Sequence, residues 1–174
     1  MKMIRLITLA FISLSLTFTL LPSCGNKSDV SPEKESSYKG TAVDLGLSIQ
    51  WGSCNFGASA PEKVGKYCSF YNAEKALTGN WRLPNAVECE ELINSCTWED
   101  SVLNGINGYK ITGPNGASIF LPCLSSDSGS YWTSTPEQDG VVYMFFYYQC
   151  YENSKGISRP VARSREFVVR PVYD

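Results

Sequence analysis

Seven cysteines and no histidine set the chemistry open to this 174-residue chain. Without imidazole there is no Ser-His-Asp or Cys-His relay, no histidine-ligated zinc and no histidine proton shuttle. Cysteine-only zinc sites need closely spaced pairs, and no Cys-x-x-Cys occurs, so no metal is expected. No phosphate-cradling GxGxxG or GxxxxGK[ST] loop is present, and no cofactor is expected. Fifteen Lys+Arg against seventeen Asp+Glu give a net charge of -2, which leaves no basic tract for nucleic acid. A glycosidase would need two carboxylates facing each other across a sugar. Asp100, Asp127, Asp139, Glu137 and Glu152 fall in expected loops, where acids are usually solvated surface.

Binding chemistry has more to work with. The chain holds 10 Tyr, 8 Phe and 4 Trp, and flat rings stack on sugar faces as well as filling cores. In the apolar run from Val141 to Tyr148, Val142, Met144 and Phe146 point one way and Tyr143, Phe145 and Tyr147 the other. Tyr143 and Tyr147 are therefore candidate ligand-binding residues. Trp132, Tyr151, Arg159 and Arg163 join them, because they flank the loops 123–130 and 149–165. No Glu-Pro-Asn, Gln-Pro-Asp or Trp-Asn-Asp motif is present, so any sugar binding should not need calcium. The candidate partners are a glycan or a surface protein. Arg82 and Arg170 sit in otherwise apolar blocks and read as structural charges. A buried arginine needs a partner, and Glu88 or Glu91 suits Arg82.

The elements that must position these groups are short. Asn85 followed by Glu88 predicts a capping box. Cys89, Leu92, Ile93 and Cys96 then share one helical face, which predicts a helix from about 86 to 95. Ile49 and Trp51 alternate with polar neighbours as on a half-buried strand, and Tyr67, Ser69 and Tyr71 give a weaker alternation. Tyr109–Thr112 and Ala117–Leu121 flank an Asn-Gly turn and predict a hairpin. Strands are also expected at 131–135, 141–148 and 167–172. One helix among many strands predicts an α+β domain built on antiparallel sheet.

The chain opens with an address. Lys2 and Arg5 precede an apolar run from Ile7 to Leu21, the layout of a secretory signal. Leu21-Pro22-Ser23-Cys24 resembles a bacterial lipobox, which makes Cys24 the expected lipidation site and residues 1–23 the removed signal. Losing Lys2 and Arg5 makes the mature chain two charges more negative, so anchoring to the membrane would come from the lipid alone. Residues 24–38 are polar and aperiodic and read as a flexible tether. Residues 39–174 form the expected domain. The destination is the outer membrane of an exported lipoprotein, and the periplasmic or surface face stays open. With Cys24 spent on lipid, Cys54, Cys68, Cys89, Cys96, Cys123 and Cys150 allow up to three disulfides in fifteen connectivities. Cys89, on the apolar helical face, suits a buried small hydrophobe.

Four blocks occur in order: Asp44-Leu-Gly-Leu-Ser-Ile-Gln-Trp51; Trp81-Arg-Leu-Pro84 with Glu88 and Glu91; Gly108-Tyr-Lys-Ile-Thr-Gly113 with Ile119-Phe-Leu-Pro122; and Tyr131-Trp-Thr-Ser-Thr135 with Val169-Arg-Pro-Val172. Together they resemble the Fibrobacter succinogenes major paralogous domain of Bacteroidota lipoproteins, over residues 40 to 174. The resemblance implies a C-type-lectin-like fold with one or two short helices, on the branch that includes formylglycine-generating enzymes. It implies that Val43–Leu45 pairs beside Val168–Val172, that Trp51 and Trp81 are core, and that Cys54 bonds Cys96. Enzymes of that branch hold copper(I) on two late cysteines, a soft-ligand site. Here the final fifty residues contain only Cys150, and the similar stretch 158–163 carries none. The expectation is thus a non-catalytic binding module. A structural or assembly subunit of a surface complex is the alternative, and a degenerate enzyme the second.

Overall fold

The structure, a computed structural model, describes residues 38–124, 128–136, 142–149, 154–157, 161–162 and 164–174. For Ser128, Pro136, 142–149 and 161–162 only the strand backbone is described. The chain divides into a unit of residues 1–31 and a unit of residues 32–174, and the described residues all belong to the second. Its class is α+β: two helices among antiparallel sheets.

Strand β1 (Ala42–Val43) pairs with β2 (Gln50–Gly52). After β3 (Cys68–Ser69) come α1 (Phe70–Ala76) and β4 (Trp81–Arg82). Helix α2 (Ala86–Ser95) follows, then a three-stranded meander of β5 (Thr97–Leu103), β6 (Ile106–Thr112) and β7 (Ser118–Pro122). A second antiparallel sheet contains β8 (Ser128–Pro136), β9 (Val142–Gln149), β10 (Ser154–Ile157) and β11 (Val161–Ala162). Strand β12 (Glu166–Phe167) pairs with β3, and β13 (Val172–Tyr173) lies between β2 and β4.

The sheet that joins the early and late segments therefore runs β1-β2-β13-β4. Direct pairing of Val43–Leu45 with Val168–Val172 does not occur. The Trp51 strand intervenes, with Trp51 paired to Val43 on one side and Val172 on the other. The physical reason is the side chain itself. Trp51 is only 1% exposed, and a central strand buries so large a ring better than an edge does.

Helix α2 forms as its sequence dictates. The Asn85 side chain accepts from the Glu88 amide at 2.9 Å, and the Glu88 carboxylate accepts from the Asn85 amide at 2.8 Å. Cys89 and Leu92 are fully buried, with Ile93 and Cys96 packed beside them. Glu88 also holds the Arg82 guanidinium at 2.7 Å, and Asp174 contacts the same guanidinium at 2.8 Å. Glu91 serves elsewhere, accepting from the Ser48 amide and hydroxyl. Arg170, 1% exposed, makes no ion pair among the described residues. It donates to Asn55 Oδ1, Gly52 O and Phe120 O at 2.8–2.9 Å, so neutral oxygens satisfy the buried cation.

Two apolar clusters result. One gathers Leu45, Trp51, Leu92, Tyr109, Ile111, Leu121 and Tyr131 under α2 and the meander. The other gathers Tyr38, Cys54, Phe56, Phe70, Trp132 and Val169 around α1. Tyr38, assigned above to the tether, is 6% exposed. Its hydroxyl donates to Cys54 O at 2.9 Å, and its ring packs where any side chain at Gly40 or Gly52 would clash. The folded head therefore includes Tyr38.

Candidate functional site

The meander has two unlike faces. Alternation sends Tyr109 and Ile111 of β6 into the core, and so aims Lys110 to the opposite side. The register sets Glu99, Lys110 and Phe120 abreast, with Ser101, Gly108 and Pro122 abreast one step along. This second face is the floor of a groove of about 300 Å³. Val43, Ser53 and Pro61 wall it, and Ser101, Leu103, Lys110, Ser118, Ile119 and Phe120 complete the lining.

Local structure fixes each part. Asn104 (φ 50°) and Gly105 (φ 79°) make the tight turn between β5 and β6, as an Asn-Gly hairpin requires. The Phe120 ring lies against Gly108, where a Cβ would come within 2.6 Å of the ring. Glycine there leaves room for the ring. Arg170 ties the Phe120 carbonyl to Gly52 and Asn55, which sets the meander against the wall that carries Ser53. Pro61 stands on the loop after Asn55. That loop closes where the Lys66 amide donates to Phe56 O and Asn55 Nδ2 to Val64 O, both at 2.9 Å. Beside Pro61, Glu62 is buried; its own amide and then the Asn104 side chain hold its carboxyl below the usual value.

Chemically the groove offers an apolar floor, three serine hydroxyls and one ammonium. The Lys110 side chain makes no ion pair or hydrogen bond among the described residues, although Glu99 stands opposite it in register. A concave, mainly apolar surface with a few polar groups is the usual make-up of a ligand site. The Lys110 ammonium hydrogen-bonds none of the three serines among the described residues. The described carboxylates with assigned partners, Asp44, Glu62, Glu88, Glu91 and Asp174, hold backbone, amide, hydroxyl or guanidinium groups.

The sequence candidates lie elsewhere. Trp132 is 0% exposed, wedged edge-on between Phe70 and Phe167, with its indole N–H donating to Cys68 O at 2.7 Å. It is core and presents no face to a ligand. Tyr143 and Tyr147 lie on β9, opposite Pro136 and Ser130, and the register sets Phe145 between them opposite Trp132; their side chains lie outside the described residues. Tyr151, Arg159, Arg163 and the lipidation candidate Cys24 also lie outside the described residues, as do Asp127, Glu137, Asp139 and Glu152. Asp100 is exposed on β5.

The Cys54–Cys96 disulfide is absent, and both are free thiols, like Cys68 and Cys89. Cys54 packs in the second cluster, where its Sγ donates to Ala58 O at 3.6 Å, while Cys96 packs against the first. Cys123 is the disulfide-bonded cysteine among the described residues. Burial drives the Cys89 thiol far up, lifts Cys68, and with the Glu91 charge second pushes Cys96 up to about 11. Thiols so shifted are poor nucleophiles at neutral pH.

The groove residues escaped the sequence reading. The missed signal was Asn104-Gly105, a two-residue hairpin turn that marks the first hairpin of the meander and hence a sheet with a second face. No family model, curated protein or solved structure matches the chain.

Proposed function

We propose that the protein is a non-catalytic binding module of the cell envelope, with a C-type-lectin-like head that takes a glycan in the groove on the outer face of the meander. The observation that carries this reading is the groove's chemistry. Phe120, buried but for its groove side, and Leu103 give an apolar floor, and Ser53, Ser101, Ser118 and Lys110 supply hydrogen-bonding groups to the lining. Sugars present the same pairing of apolar ring face and hydroxyl rim. The lipobox at Cys24 and the tether are the sequence features that support anchoring at the outer membrane. The test is a glycan array with the purified protein and a Ser101→Trp variant that plugs the groove. Binding by the parent and loss in the variant, at unchanged melting temperature, is the expected outcome. Equal binding by both refutes the groove as the site.

One observation favours a second reading, an assembly subunit. Val102 is 65% exposed near the hairpin tip, an apolar side chain open to a protein neighbour. In that case a co-purifying partner would be lost on Val102→Ser while glycan binding is nil.

A further inference from the structure

The loop that carries Pro61 into the groove has another side. Gly57, Ala58 and Ser59 of this loop, with Lys39 and Lys66, line a separate hollow of about 320 Å³. Both lysines are exposed. Neither makes an ion pair or hydrogen bond through its side chain among the described residues. Two lysines thus line one hollow with no ion-pair partner among the described residues, on a chain whose net charge is -2.

The placement of Lys66 is built in. Gly57 sits at φ 75°, and a Cβ there would come within 2.6 Å of Lys66 Cγ and 3.0 Å of Cδ. The lysine stem lies across the bare glycine, which gives its head a restricted range. The backbone adds donors: the amides of Gly57 and Ser59 hydrogen-bond to no acceptor among the described residues. Paired ammonium groups with spare amides are the chemistry of an oxyanion site.

We propose that this hollow receives the sulfate or carboxylate of an acidic glycan, as a subsite beside the groove. The inference rests on the glycan reading above and names its charge class. A glycan is favoured because one loop is the shared wall. Pro61 lines the groove and Gly57–Ser59 line the hollow, so a neutral ring and its charged neighbour would meet the same loop.

The test measures binding of the full protein to chondroitin sulfate, dextran sulfate, neutral dextran and phosphatidylglycerol vesicles. The sulfated chains are expected to bind and neutral dextran to bind more weakly. Lys39→Gln with Lys66→Gln should weaken sulfated-chain binding by about tenfold or more, the scale of losing charge-assisted contacts. Lys39→Arg with Lys66→Arg should retain it. The same charge removed elsewhere, Lys75→Gln with Lys155→Gln, should change it by less than about twofold, the screened effect of distant surface charge. Equal losses in both glutamine pairs would show diffuse attraction and overturn the proposal. Loss of vesicle binding alone in the Lys39/Lys66 pair would assign the hollow to a lipid headgroup and overturn it too. If Ser101→Trp abolishes glycan binding while the Lys39/Lys66 pair leaves it intact, the hollow fails and the groove stands. If no glycan binds the parent, both fall.

Discussion

At the residue scale the cysteines separate what a sequence can say from what packing decides. Even numbers of cysteine in an exported chain allow disulfides, yet Cys54 and Cys96 belong to different clusters. Which thiols meet depends on the fold and not on their spacing. Peptide mapping without reduction should find Cys123 cross-linked and Cys54, Cys68, Cys89 and Cys96 as thiols. In the folded protein at pH 8, Cys89 and Cys96 should alkylate slowly, and a Cys54–Cys96 cross-link would contradict the structure. Asp174 gives a pH-dependent test. Its hydrogen bonds from Arg82, and then the guanidinium charge, hold its carboxyl below the ordinary 3.8. A carboxyl lowered by folding contributes stability that is fully present above its unfolded pKa and is lost as pH falls through the folded one. Asp174→Asn should therefore melt lower than the parent at neutral pH, and the gap should close as the pH drops below the ordinary carboxylate range. A gap independent of pH would show that the charge contributes nothing.

At the element scale, α2 was legible because each of its signals is local. The capping box spans Asn85 to Glu88, and the buried stripe repeats within ten residues. Glu88→Ala removes the half of the capping box that accepts from the Asn85 amide and leaves Arg82 without its partly buried partner. It should cost about 2–4 kcal/mol in chemical denaturation; a change below about 0.5 kcal/mol, typical of surface substitutions, would sink this account of α2. The meander was half legible. Asn115 and Gly116 announced the β6–β7 hairpin, but β5 reads Thr-Trp-Glu-Asp-Ser-Val-Leu, too charged to look like a strand. It is one because Trp98 alone reaches inward, donating to Leu92 O at 3.1 Å and meeting Tyr109 edge-on. Helix α1 was missed for the opposite reason. Tyr67, Ser69 and Tyr71 alternate, but the chain turns helical at Phe70 so that Phe70 and Ala73 share a buried face. Tertiary burial overrode a weak local pattern.

At the scale of the whole molecule, class was readable and pairing order was not. Sheet order depends on which segment buries Trp51, a comparison between distant strands that no window of sequence contains. The groove was hidden likewise, since its lining comes from β1, a loop and three strands. Anchoring is the prediction that belongs at this scale. Cys24→Ala should leave the protein unlabelled by radioactive palmitate and shift it from the membrane to the soluble fraction. Persistent labelling would refute lipidation at Cys24.

Arg170 carries a consequence for environments that turn acid. Its three acceptors are an amide oxygen and two carbonyls, none of which takes up a proton at any pH a cell meets. The ion pair between Arg82 and Asp174 has no such immunity. As the pH falls well below the ordinary 3.8, the end of the sheet where β13 meets β4 should slacken first, while the groove wall keeps its shape. Amide exchange in strong acid would then find protection lost around Trp81 before it is lost around Phe120.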